Sequence, residues 1–180
     1  IPEFSGNNSL SKKLKDNITI RDLMTHSSGL PPFKKYYLMD SNVESRIDSV
    51  MNTDLEFDRH EKTVYSDVGL IVLGKLVEKV SGKPLDQYLD SLLFDPLGMN
   101  SSFFNPPKHK LKRVVPTEIS AITNEVILGY VHDENAFSIG GVAGHAGLFS
   151  TAMDIAKFSQ MMLNNGLYGW KRFFKPETVN

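Results

Sequence analysis

Cysteine is absent from the 180 residues. Its absence excludes a disulfide framework, a thiolate nucleophile and any metal site built on sulfur ligands, although it does not fix the compartment. Long hydrophobic runs are also missing: none approaches the ~20 residues that cross a bilayer, and the opening IPEFSGNNSL lacks the basic-then-apolar order of a secretory leader. Nor is there an excess of one charge. The 20 basic and 21 acidic residues are interspersed and leave a formal net charge of -1, which gives no field to gather nucleic acid or an anionic membrane surface. What remains is ordinary for a folded soluble chain, with 41% hydrophobic and 23% charged residues and no internal repeat or low-complexity tract. The length suits one domain or one large piece of a bigger one.

Helical signals dominate. Thr19 and Asp22 form a capping-box pair for a short helix whose Leu23 and Met24 are expected to face inward, and SSGLPP (27–32) stops it. Ser41 with Glu44 offers a second box, opening a helix through Ile47, Val50 and Met51. In KTVYSDVGLIVLGKLVEKVSG (62–82), Ser66 is a good N-cap and Asp67 suits the positive helix start. Leu70, Leu73, Leu76, Val77 and Val80 then recur at helical spacing until Gly82. Pro84 suits a first helical turn, with Leu85, Tyr88, Leu89 and Leu92 carrying a further helix as far as FDPLGM. From Asn105 to Ile139 the pattern weakens, and Val114, Val115, Ile119, Val126 and Ile127 predict short extended pieces in a long loop region. A last strong helix has Ser150 as its cap and Asp154 in its first turn. Ile155, Phe158, Met161 and Met162 are its core face, Met153 is expected to be core filling nearby, and Gly166 is its stop. Another helix starts at Pro176. The chain therefore reads as mainly α, roughly half helical, with few short strands and a long irregular region.

Tyr65 and Asp67 stand two positions apart across the turn that opens the 67–81 helix, so both can project to one side while Ser66 caps it. A phenol of ordinary pKa ~10 becomes a general base near neutral pH only with a neighbouring cation to stabilise the phenolate. The residues alone also admit a plainer account, in which Tyr65 packs with its hydroxyl bonded and Asp67 decorates the first turn. His132 and Asp133 are adjacent cation-capable side chains. The five histidines are scattered with no His-x-x-x-His pattern, so no metal site is expected. Ser27 and Ser28 in THSSG are read as turn formers, because a Gly-x-Ser-x-Gly elbow needs a strand before it and a helix after it.

Three segments, ITIRDLMTHSSGLP, YSDVGLIVLGKLVEKVSGKPLDQYLDSLLFDPLGM and GGVAGHAGLFSTAMDIAKFSQMMLNNG, in this order resemble the serine β-lactamase and penicillin-binding-protein-like hydrolases. That group includes class C β-lactamases, esterases and D-amino-acid peptidases. The resemblance covers nearly the whole chain and implies that residues 1–180 are the helical subdomain of a β-lactamase/transpeptidase-like α/β fold, truncated at both ends. It implies a serine hydrolase working through an acyl-enzyme on small amide, ester, peptidoglycan-type or β-lactam substrates, with no cofactor, in an extracytoplasmic or cell-envelope setting. Tyr65, Ser66 and Asp67 match the family's Tyr-x-Asn triplet, making Tyr65 and Asp67 the catalytic candidates. Asp67 departs from the commoner Asn by replacing a donor-and-acceptor amide with an acceptor. His132 and His145 are the candidates for substrate contact. His145-Ala146-Gly147 mimics the family's His-x-Gly element, yet it runs into a capped helix, and a structural histidine is the plainer reading. The Ser-x-x-Lys nucleophile motif has only one match, Ser9 to Lys12, in a polar run with no apolar face, and it is read as accidental. The nucleophile and the final motif are thus expected outside this sequence, which would leave the isolated chain inactive. The alternative class is a non-catalytic helical module binding a cell-wall fragment or a partner protein.

Overall fold

The computed structural model describes residues 2–5, 9–120 and 123–179, with the side chains of Ser9 and Leu10 outside the description. Helices α1 (Ser9–Lys15), α2 (Ile20–Met24), α3 (Val43–Met51) and α4 (Asp67–Ser81) form the first half. Then come α5 (Leu85–Leu89), a π-helical turn (Asp90–Phe94) and α6 (Asp95–Leu97), followed by α7 (Glu134–Ser138), α8 (Ala152–Leu163) and α9 (Pro176–Val179). Among the described residues the strands form two short antiparallel ribbons. In one, β1 (Phe103–Phe104) pairs with β2 (Leu148–Phe149), and in the other β3 (Leu167–Tyr168) pairs with β4 (Lys171–Arg172). The mainly α architecture with few short strands is as the sequence predicts.

The α4 helix is the axis of the molecule. Ser66 Oγ accepts from Gly69 N at its start, and Gly82, in the left-handed region at φ 67°, ends it. Its buried stripe is Val68, Ile71 and Val72, which meet Leu23, Val50, Met51, Ala136 and Ile139 in the larger core cluster. Fully burying a side chain such as Ile71 contributes about 2 kcal/mol of transfer free energy. Leu70, Leu73 and Val77 wall an open groove of about 510 Å³ with Leu85 and Leu89, Leu73 also packing against the larger core cluster, and Val80 lies in solvent.

Other expectations shift locally. Met24 is 65% exposed because α2 ends one turn after its cap and only Leu23 reaches the core. The cap of α3 is Asn42, whose side-chain oxygen accepts from Ser45 N, in place of Ser41. The cap of α8 is Thr151, which accepts from Asp154 N, in place of Ser150. The π turn inserts a residue into the helical register, so Leu93 and Phe94 turn inward while Leu92 stays exposed. Together with Leu97, Met99 and Met161 they make a second core cluster. In α8, Met161 is fully buried and Phe158 and Met162 are partly buried, whereas Ile155 and Met153 are exposed. Within the irregular region Ile119 and Val126 form one isolated bridge, Ile127 is buried, and Lys108–Arg113 is a 3-10 helix.

Candidate active site

Two loops are sewn together to hold the start of α4. The turn after α2 passes through His26 at φ 55° and Gly29 at φ 85°, where an added Cβ would lie 2.2 Å from the Phe57 carbonyl oxygen, so glycine is required. Backbone hydrogen bonds tie this turn to residues 56–67: Glu56 N donates to Gly29 O (2.8 Å), His60 N to Ser27 O (2.9 Å), Val64 N to His26 O (2.9 Å) and Asp67 N to Pro32 O (2.9 Å). Ser66 Oγ donates to Pro31 O at 2.7 Å. Ser28 is buried and its Oγ accepts from Leu30 N, a turn-forming role.

Beneath these loops sits Asp22, almost wholly buried. It closes the capping box with Thr19, takes Arg59 Nε at 2.7 Å on one oxygen and His60 Nε2 at 2.6 Å on the other. Burial would raise its carboxyl, but Arg59, the Thr19 backbone N–H and His60 overcome that and hold it far below the usual carboxylate range.

On this base Tyr65 is 60% exposed. Its ring lies against His26, centroids 4.6 Å apart at 43°. The His26 Nδ1 accepts from Ser66 N–H at 3.2 Å, which leaves the ring proton on Nε2. His26 thus supports both the tyrosine ring and the capping residue. Asp67 follows, half-buried in the first turn of α4. Burial pushes its carboxyl above the ordinary range; the charge of His145 opposes that, Asp133 reinforces it, and the Tyr65 hydroxyl pulls it back as a hydrogen-bond donor. Tyr65 and Asp67 are therefore together at an open edge.

The segment 143–147 lies flat on α4. A Cβ on Gly144 would be 2.1 Å from the Leu70 carbonyl oxygen and 3.1 Å from Gly74 N, so the backbones touch one helical turn from Asp67. This delivers His145. Its side chain is only 2% exposed, its Nε2 donates to Asp133 Oδ1 at 2.9 Å, and its Nδ1 is buried with no hydrogen-bond partner among the described residues. It lines the α4 groove and pairs with a carboxylate. Asp133 caps α7, accepting from Ala136 N at 2.7 Å. Burial would raise it, but the hydrogen bonds from His145 and Ala136 hold its carboxyl below the ordinary range.

His132 is elsewhere. Its Nε2 meets Glu118 Oε1 at 2.7 Å, and it lines a cavity of about 660 Å³ with Asp133, Tyr130, Phe103, Phe149 and Arg113. Tyr65 and Asp67 do not line that cavity, whose lining includes Asp133, Ala146 and Gly147. No group of three or more His, Cys, Asp or Glu among the described residues could hold a metal ion. Lys12 is exposed, and the Ser9 side chain lies outside the described residues. Sequence reasoning missed His26 and the role of Asp133. The THSSG text and the Asp133-x-x-Ala136 cap spacing were their available signals, but the partners lie 39 and 12 positions away, Tyr65 and His145 respectively.

Comparison with known proteins adds the family. The chain is 37% identical over 200 residues to the protein of Escherichia coli strain K12 named "Putative D-alanyl-D-alanine carboxypeptidase", covering 99% of this chain and 46% of that protein. A protein of the same name from Salmonella agona strain SL483 is 34% identical over 203 residues, covering 99% and 46%. The chain thus spans less than half the length of these relatives. Among solved structures, FmtA from Staphylococcus aureus superposes with a TM-score of 0.70 at 20% identity, covering 99% of this chain and 45% of that one. D-amino acid amidase from Ochrobactrum anthropi SV3 superposes at 0.66 and 21% identity, covering 92% and 47%. At those identities the likeness establishes the fold. The sequence itself matches the family described as Beta-lactamase over residues 4–175, and with that match spanning almost its full length the chain belongs to the beta-lactamase family of penicillin-binding-protein-like hydrolases.

Proposed function

We propose that this chain is the helical part of a serine hydrolase that cleaves an amide or ester through an acyl-enzyme, with D-alanyl-D-alanine-type peptides of the cell envelope as the favoured substrate class. The carrying observation is Tyr65, solvent-facing on a rigid, capped turn, with a carboxylate two residues on and an imidazole against its ring. A group that must exchange protons with a nucleophile and a leaving group has to be open on one side and fixed on the other, and Tyr65 has both properties. The names of the curated relatives support the peptide class.

In this scheme Tyr65 relays the proton between the serine oxygen and the leaving group, and Asp67 contacts the substrate or the amine that partners the serine. The nucleophile and the oxyanion donors are supplied by the rest of the polypeptide. Neither a metal nor an organic cofactor has a role in such a scheme, because serine acylation needs only a base and oxyanion donors. His132, at the rim of the adjacent cavity, is a candidate substrate contact.

The test is an assay of the full polypeptide and of residues 1–180 against a D-alanyl-D-alanine-ending peptide, p-nitrophenyl acetate and nitrocefin. Hydrolysis with a covalent acyl adduct visible by mass spectrometry is expected from the full polypeptide. No rate above buffer is expected from residues 1–180, because proton transfer contributes only ~10²–10⁴-fold of the acceleration such enzymes achieve. Turnover without any adduct would replace this reading with direct water attack.

A further inference from the structure

We propose that the β3–β4 hairpin is a peripheral membrane contact, with Trp170 entering the interfacial layer of an anionic phospholipid surface and Lys171 and Arg172 lying against its headgroups. The proposal is independent of the reaction given above.

Trp170 is the one tryptophan of the chain, and it is 104% exposed. Tryptophan is highly buried on average, so an indole wholly in solvent calls for a reason. Its position is built. Leu167 pairs with Arg172 and Tyr168 with Lys171, which leaves Gly169 and Trp170 as a two-residue loop. Gly169 has φ 57°, as glycine at the first position of such a loop allows, and nothing lies within 4 Å of where its Cβ would stand. The other aromatic side chains of the hairpin and its exit, Tyr168, Phe173 and Phe174, pack against the second core cluster. Phe173 N donates to Gly166 O at 2.8 Å, and Arg172 Nη1 donates to Asn165 O at 2.9 Å. The stalk is thus fixed to the core while the indole at its tip stands clear of it.

The charges choose the partner. Residues 164–180 hold three cations, Lys171, Arg172 and Lys175, against one carboxylate, Glu177, and Lys171 and Arg172 are exposed beside the tip. The chain as a whole, at -1, exerts no long-range pull on an anionic surface. The attraction is local and acts within a Debye length of about 10 Å at about 0.1 M salt. An amphipathic ring flanked by basic residues suits the boundary between headgroups and acyl chains, where indole is enriched and cations meet anionic lipid. A glycan or a peptide would need a concave seat, and Trp170 lines neither the groove of about 510 Å³ nor the cavity of about 660 Å³. One indole with a few cations gives a reversible contact, weaker than an anchor.

The test is co-sedimentation of the full polypeptide with vesicles of phosphatidylglycerol and phosphatidylcholine in equal parts, and with vesicles of phosphatidylcholine alone. The parent is expected to partition at least ~10-fold more strongly onto the anionic vesicles and to lose most of that preference in about 0.5 M NaCl. Trp170→Ala should weaken partitioning at least ~10-fold and Lys171→Glu at least ~5-fold. Urea midpoints should stay nearly unchanged, because both side chains are exposed. The Trp170 emission, taken as the difference between the parent and Trp170→Ala spectra, should move to shorter wavelength only when anionic vesicles are added. Equal partitioning of the parent and Trp170→Ala would overturn the proposal. So would a Trp170 emission already at short wavelength and shielded from iodide without vesicles, which would mean that the rest of the polypeptide covers the indole. Trp170-dependent binding to peptidoglycan sacculi with none to vesicles would overturn it as well, and would give the hairpin to a glycan.

Discussion

Two aspartates in this chain each meet a histidine, Asp22 buried and Asp133 partly exposed, and they differ in what is left over. Asp22 has Arg59 Nε and His60 Nε2 at 2.7 and 2.6 Å and the Thr19 backbone N–H at 2.7 Å, so both oxygens are occupied. Asp133 is also satisfied, by Ala136 N and His145, yet His145 keeps an unpaired buried nitrogen and the neighbouring Asp67 has its carboxyl raised by burial. The first network locks two loops in place. The second leaves one buried imidazole nitrogen without a partner among the described residues. Native interiors satisfy nearly all buried polar groups, and His145 Nδ1, with Ser41 Oγ and Arg46 Nε, is an exception among the described residues.

The contrast can be broken by substitution at either end. Asp22→Asn should have the larger effect on stability. It leaves Arg59 and His60 facing an amide beneath the loops that carry Tyr65, and a loss of about 2–4 kcal/mol is expected, below the fully buried limit because both partners are partly solvated. Urea unfolding at pH 7 measures it, and a change under about 0.5 kcal/mol, typical of a surface site, would remove the bracing role.

The pH dependence separates the two regions by sign. The folded value of Asp22 lies below its unfolded value, so its contribution is present above about pH 4 and is lost as pH falls from there. Asp67 is raised, so the folded state keeps its proton longer, and its contribution is lost as pH rises through the folded value. The smaller prediction follows: Asp67→Asn should raise the urea midpoint at pH 7 relative to the parent and leave it nearly unchanged at pH 3, while Asp22→Asn flattens the acid loss. An Asp67→Asn protein less stable at pH 7 than the parent would show that the helix-start charge outweighs the burial penalty.

Much of this scaffold was written locally. Ser66 and Gly82 bound α4 as their cap chemistry dictates, and the Thr19–Asp22 box forms as spaced. Where two neighbouring residues both qualify as a cap, as with Ser41 and Asn42 or Ser150 and Thr151, local chemistry cannot choose between them, and the packing of the helix face decides. The π turn that turns Leu92 outward has no composition signature. The candidate site divides the same way. Tyr65 and Asp67 are legible because they share one turn, whereas His26 stacks on Tyr65 from 39 positions away and His145 pairs with Asp133 across 12. Such pairings are set by how loops cross, and in each case a glycine, Gly29 or Gly144, permits the crossing at backbone contact distance.

The most direct test of the central claim is kcat for Tyr65→Phe in the full polypeptide with a p-nitrophenyl ester, alongside its urea midpoint. Loss of the hydroxyl should lower kcat by at least ~10²-fold, with the midpoint held within experimental error because the hydroxyl of a 60% exposed residue supports little of the fold. Turnover within about twofold of the parent would contradict the assignment and remove Tyr65 from the reaction.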